Sequence, residues 1–319
     1  SLSVSNFQLE TDNESKTFDF DENLNDETLN DVTVNSIGRA YFQNQKKLNI
    51  PFNSKIESVN AKNISDVIRM AGGITSYFEM PNTQPNTTTI HELNKKFDIA
   101  KENSIANFSF MFGGTNTNLE EIVKNNISEI PAIKLFLGSS TGNMLVDDLN
   151  SIENIFSNVE IPIAVHCEDE KTIKNNLKLH IDSFGENIPI SHHPKIRSEE
   201  ACFISSSMAV KLAKKTGARL HVFHLSTAKE LELFSNKLPL KEKKITCEVC
   251  IHHLTFSDQD YDKLGSKIKW NPAVKTSNDR DKLWHALNND LIDVIATDHA
   301  PHTAEEKQNT YIKCPSGGH

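Results

Sequence analysis

The sequence predicts an α/β fold, a (β/α)8 barrel of the TIM type with an atypical first strand, preceded by a small, partial β-rich segment. Three observations carry this expectation. Seven short apolar runs rich in β-forming residues recur along the 319 residues, and polar segments with helical periodicity separate most of them. Residues able to bind a metal stand at or near the ends of four of those runs. Strand, helix, strand in repetition implies a parallel sheet with helices outside. The active sites of such barrels lie where the C-terminal ends of the strands emerge.

Taken in order, residues 1 to 40 hold nine acidic residues against Lys16 and Arg39, in a chain whose net charge is −9, so the remainder is nearly neutral. This stretch is rich in Asn, Asp and Ser and shows only short alternations such as Phe18/Phe20 and Val32/Val34. It reads as part of a β-sandwich, a small edge sheet or a poorly ordered tail with a solvated acidic face. Residues 1–52 are taken as this N-terminal segment and 53–319 as the barrel. A helix is expected over 53–70, which puts the first barrel strand in AYFQNQKKLNI, residues 40–50. The seven clear runs are ITSYFEM (74–80), NFSFMF (107–112), AIKLFL (132–137), IPIAVHC (161–167), RLHVFHL (219–225), KITCEVC (244–250) and LIDVIAT (291–297). Among the helical segments between them are TIHELNKKFDIAKENS, NLEEIVKNN and RSEEACFISSSMAVKLAKKTG.

Composition narrows the function classes. The acidic balance argues against a nucleic-acid partner, whose footprint should be basic. No window approaches the apolar length a membrane helix needs, and SLSVSNFQLETDNES lacks a basic region followed by an apolar one. The expectation is a cytoplasmic protein with no membrane partner. Five cysteines are too few and too scattered for a disulfide scaffold. Cys247 and Cys250 form a CxxC, but in a strand residues three apart point to opposite faces, so the motif alone is weak.

The candidate ligands are Lys134 in AIKLFLG, His166 in AVHCED, His224 in VFHLST and Asp298 in VIATDHAPH. Each alone is ordinary. A strand-end His is more often a hydrogen-bonded structural residue than a ligand, and a lone Lys usually snorkels to the surface. The set is harder to dismiss, because imidazoles and a carboxylate converging from separate strands are what a hydrolytic zinc site requires.

Eight segments occur together in order: AGGITSYFEMPNT, IKLFLGSSTGNM, IAVHCEDE, HPKIRSEEA, LHVFHLSTAKEL, EVCIHHLTF, IKWNPAVK and DVIATDHAPHTAEEK. Through them about three quarters of the chain resembles the amidohydrolase superfamily, and within it the dihydroorotases, cyclic amidohydrolases of pyrimidine biosynthesis. MPNT with KWNPA favours dihydroorotases over the hydantoin-cleaving relatives. The resemblance implies a small-molecule substrate, dihydroorotate or N-carbamoyl-L-aspartate, and leaves room for a homodimer. It implies Lys134 as a carbamylated lysine bridging two zinc ions, His166 and His224 as ligands of the second metal, and Asp298 as ligand of the first and general base. Asn82, Asn271 and His302 become the groups that orient substrate. For Asn82 and Asn271, turn chemistry beside Pro is an equal alternative.

The family's first strand carries a His-x-His pair, then an Arg and a Pro. Counting back to Pro51 puts Gln45 and Lys47 at the His positions and Asn49 at the Arg position, and none can replace them. No His-x-His occurs in the chain, which ends at CPSGGH where the family continues, so the barrel reads as truncated at its C-terminus. Either this is a metal-poor homologue kept for binding or scaffolding, or an altered or incomplete form of an ordinary enzyme, and the sequence favours the second. By ligand count the chain should hold at most one zinc, at His166 and His224. A hydantoinase or dihydropyrimidinase type of hydrolase remains the alternative activity.

Overall fold

The computed structural model describes residues 75–318 apart from 105, 125–129 and 139–143, together with four short N-terminal strands. These strands are β1 (Asn6–Thr11), β2 (Glu14–Asp19), β3 (Arg39–Phe42) and β4 (Lys47–Leu48), which form an antiparallel sheet in the order β2-β1-β3-β4. A small sheet is one of the readings open for the acidic segment; residues 20–38, which hold five of its nine acidic residues, lie outside the described residues. The barrel strand expected over 40–50 needs correcting. Ala40 pairs with Leu48 and Tyr41 with Lys47 in antiparallel register, so this stretch supplies two arms of a hairpin and not one strand parallel to a barrel. Two short apolar pieces separated by the polar QNQK suit that arrangement. The helix expected at 53–70 lies outside the described residues, as do Gln45, Asn49 and Pro51.

The chain divides into two units, Ser1–Glu79 with Leu93–Phe110, and Met80–Glu92 with Met111–His319. In the first, β5 (Ser76–Glu79) and β6 (Asn107–Phe110) pair in parallel, Ser76 opposite Asn107. The helix Ile90–Asn103 connects them, and its Phe97 ring meets Phe110 edge-on with centroids 4.9 Å apart.

The second unit carries one sheet of six strands: β7 (Phe112–Gly113), β8 (Ile133–Phe136), β9 (Ile163–His166), β10 (Leu220–Val222), β11 (Ile245–Cys250) and β12 (Val294–Ala296). Its order is β12-β11-β10-β9-β8-β7, and every pairing is parallel. All seven runs marked in the sequence are thus strands, and the three helical segments form the helices Ile90–Asn103, Leu119–Lys124 and Glu199–Thr216.

Alternation decides what each face of the sheet holds, since successive side chains point to opposite sides. Ile133, Leu135, Ile163 and Val165 occupy one face and are wholly buried. The other face has Ala132, Lys134 and Phe136 on β8 and its approach, and Ala164 and His166 on β9; Met111, Ala132, Ala164 and Phe223 form a small apolar cluster there. The small Ala132 and Ala164 leave space on this buried face for two large polar residues, Lys134 and His166.

Helix boundaries follow local chemistry. Asp148, Asp169 and Ser198 each cap a helix by accepting the backbone N–H three residues on, and Gly217, at φ +77°, ends the helix Glu199–Thr216 in the left-handed conformation. Among the described residues no helix is long and apolar enough to cross a membrane.

Candidate active site

Parallel pairing brings the C-terminal ends of β8 to β12 out at one edge. Register fixes the heights: Lys134 lies opposite Ala164, Phe136 opposite His166, and Val222 opposite Val165, while Cys250 lies opposite Ala296. His224 and Asp298 therefore stand two residues beyond the last paired residues of their strands. Both take positive φ, 38° and 44°. Non-glycine residues seldom adopt this conformation, and where they do the surrounding structure must hold it.

Lys134 is 1% exposed. Its Nζ lies 3.7 Å from the centroid of the Phe223 ring and 4.9 Å from that of Phe136, both faces that attract a cation. Burial nonetheless lowers its amine to about 8, against the opposing pull of Asp298 and Glu248. The buried His224 is held well below its ordinary value by desolvation first and then by His166 and Lys134, so it is neutral. Asp298 is shifted the other way: crowding by protein atoms raises its carboxyl, and Lys134 and His166 draw it back. The residue retains solvent-exposed surface, which moderates that rise.

His166 and His224 face each other, Nδ1 to Nε2, at 3.0 Å. On its other side His166 Nε2 is 3.0 Å from Glu168 Oε2. A carboxylate can only accept, so His166 Nε2 carries the proton, and in the neutral ring Nδ1 is a bare lone pair. The sequence positions Glu168 directly: it lies between the end of β9 and Asp169, the cap of the helix Glu170–Phe184. Glu168 is fully buried and also receives the Arg197 guanidinium. Burial pushes its carboxyl up, but Arg197 and His166 overcome this and hold it at about 2.

Lys134, His166, His224 and Asp298 thus form one electrostatically coupled group. The remaining predicted residues lie in loops. Asn82 is in the bend after β5, and Asn271 follows Trp270, its buried Oδ1 lacking a hydrogen-bond partner among the described residues. The Nδ1 of His302 lies 3.3 Å from Glu306, one helical turn on. Glu168 and Arg197 escaped the sequence reading, although a carboxylate two residues after a candidate ligand, His-x-Glu, was a usable signal. His252 and His253, in the segment EVCIHHLTF, are both buried.

The donor set fits a zinc ion on the His166 side. Two imidazole nitrogens lie 3.0 Å apart, so a tetrahedral ion would need their mutual hydrogen bond to open by only a few tenths of an ångström, to about 3.4 Å, as both turn toward it. One of them is oriented by a carboxylate behind it, the usual support of a ligating histidine. A buried amine with a lowered affinity for protons is in turn the form that can add carbon dioxide.

No family model matches the chain. It is 31% identical over 257 residues to a dihydroorotase of Methanosarcina mazei, covering 77% of this chain and 55% of that protein. With a dihydroorotase of Methanosphaera stadtmanae the identity is 33% over 249 residues, again 77% of this chain and 55% of the relative. Among solved structures, the L-hydantoinase (dihydropyrimidinase) of Arthrobacter aurescens superposes with a TM-score of 0.71 at 27% identity, covering 77% of this chain and 55% of that one. The chain spans little more than half the length of these proteins. Sequence and fold agree over the part they share, and the chain is a homologue of the dihydroorotases, with the α/β-barrel fold of the amidohydrolase superfamily.

Proposed function

We propose that the protein is a cyclic amidohydrolase that interconverts dihydroorotate and N-carbamoyl-L-aspartate in the cytoplasm, as a step of pyrimidine biosynthesis. The observation that carries this reading is the pairing of His166 Nδ1 with His224 Nε2 at 3.0 Å, beside a buried lysine and an aspartate at the same sheet edge. Zinc, when bound, supplies Lewis-acid polarisation of the ring carbonyl and lowers the pKa of water. His166 and His224 would hold the ion, with Glu168 fixing the tautomer of His166. Lowering the Lys134 amine to about 8 enlarges the share of its neutral form, whose Nζ would bond to the carbon of carbon dioxide and give up a proton. The carbamate so formed offers oxygen donors that an ammonium lacks.

Asp298 is the general base in this reading. Its carboxylate takes the proton of the attacking water and returns it to the ring nitrogen as the C–N bond breaks. Asn82, Asn271 and His302 orient the substrate, and the unpartnered Oδ1 of Asn271 is an acceptor suited to a ring N–H. For a second ion only Asp298 and a Lys134 carbamate would be at hand, so one zinc on His166 and His224 is expected, with turnover well below that of a two-metal enzyme.

A hydantoinase reading has one specific observation in its favour, the superposition on an L-hydantoinase. The decisive experiment supplies the purified chain with zinc and bicarbonate and compares dihydroorotate, hydantoin and dihydrouracil as substrates. Faster turnover of either of the last two overturns the substrate assignment. Stoichiometric zinc with no turnover of any substrate supports a binding or scaffold role instead.

A further inference from the structure

At the end of β11 the chain places Cys250, His252 and His253 so that one donor atom from each lies within 4.8 Å of the other two. All three are buried, at 0%, 5% and 3% exposure. The local sequence builds the cluster. Cys250 ends the strand and is the cap residue of the short helix Ile251–Thr255, whose first turn swings both histidines back beside it.

Hydrogen bonding fixes the state of one ring. His253 Nε2 lies 3.0 Å from the carbonyl oxygen of Pro272, which only accepts, so Nε2 carries the proton. In the neutral ring Nδ1 is then a bare lone pair, and it has no hydrogen-bond partner among the described residues. A histidine whose far nitrogen donates to a backbone carbonyl is oriented as ligating histidines are. His252 is held by stacking on Trp270, with centroids 4.4 Å apart and planes 14° apart, and its buried Nε2 likewise lacks a partner among the described residues. Two buried nitrogens without a hydrogen-bond partner among the described residues, on rings that each bring a donor atom within 4.8 Å of the buried Cys250 sulfur, are costly for a fold to keep empty.

We propose that Cys250, His252 and His253 form a binding site for a thiophilic divalent cation of the zinc class, separate from the donor set of the proposed reaction. One thiolate and two imidazoles with an open fourth position suit zinc or cobalt(II) and disfavour magnesium and calcium, which prefer oxygen. On binding, the Cys250 thiol loses its proton to solvent as the sulfur–metal bond forms. Tetrahedral bond lengths of about 2.0–2.3 Å put donor atoms about 3.5 Å apart, so each pair closes by at most about 1.3 Å, within reach of side-chain rotation. The cluster shares no residue with Lys134, His166, His224 and Asp298 and is argued from its own geometry, although it lies near enough for Cys250 to act on Lys134 and for both histidines to act on His224.

Cobalt(II) is the probe. The purified chain, kept reduced with a phosphine, is titrated with cobalt(II) and followed in the near ultraviolet for thiolate-to-metal charge transfer. A saturable band is expected. It should vanish in Cys250→Ser and persist in Cys247→Ser, and His253→Gln should weaken cobalt binding at least tenfold. Circular dichroism checks that each variant is folded, and His253→Gln serves as the test if Cys250→Ser is not. Absence of the band in the unaltered chain at saturating cobalt overturns the site, as does its survival in folded Cys250→Ser. A band without turnover of any cyclic amide leaves the cation site standing and the hydrolase reading overturned.

Discussion

Replacing Arg197 by Met tests whether the buried ion pair behind His166 stabilises the fold. Glu168 is fully buried, and its carboxyl is held at about 2 against an ordinary 4.5. At about 1.4 kcal/mol per pH unit, that shift corresponds to roughly 3 kcal/mol favouring the charged, paired form. Without the guanidinium the largest offset to the desolvation of Glu168 is gone and His166 remains, and orphaning one partner of a buried pair costs about 3–5 kcal/mol. The sign of the pH dependence follows. A carboxyl depressed in the folded state stabilises fully above 4.5, and that stability is lost as pH falls from 4.5 through about 2. Urea unfolding should therefore show Arg197→Met less stable by about 3 kcal/mol at pH 7 and by less than half as much near pH 3. Arg197→Met combined with Glu168→Gln should regain part of the loss, since no charge is then left buried. A single-variant cost below about 1 kcal/mol at pH 7, or the same cost at both pH values, refutes the reasoning.

The other expectations concern chemistry and packing. Asp298→Asn should keep the fold and lower turnover by about 10²- to 10⁴-fold, because an amide cannot carry the proton; full activity would rule out its role as base. Glu168→Gln should weaken zinc affinity by about 10- to 100-fold, measured by competition with a chelator, because His166 loses the carboxylate that fixes its tautomer. Removing bicarbonate and carbon dioxide from the buffer should lower the zinc content, and elemental analysis that shows no change would argue against a Lys134 carbamate. Ile155→Ala removes a wholly buried side chain and should cost about 2–5 kcal/mol in urea unfolding.

The strands were legible because each is announced by its own few residues. IPIAVHC and KITCEVC are apolar and β-branched over a strand's length, and β9 and β11 form within them. The stretch at 40–50 failed for a related reason. Its apolar pieces are too short for one strand, and nothing local says whether AYF pairs with KL or with a distant neighbour; the antiparallel register of Ala40 with Leu48 is a choice of partner, which local propensity does not encode. The same distinction runs through the site. His166, His224 and Asp298 were visible because each sits at or just past the end of a strand, and Lys134 because a lysine stands out within the apolar run of β8. The residues that set their chemistry come from elsewhere. Arg197 reaches Glu168 across 29 positions of sequence, and Phe223 lies under the Lys134 ammonium from a different strand. Neither pairing has a sequence period, so only the folded chain reveals them. It follows that the charge state of the candidate base and of the lysine is a property of the assembled sheet edge. Variants such as Arg197→Met, distant from His166 in sequence, should change its ligand character as surely as changes beside it.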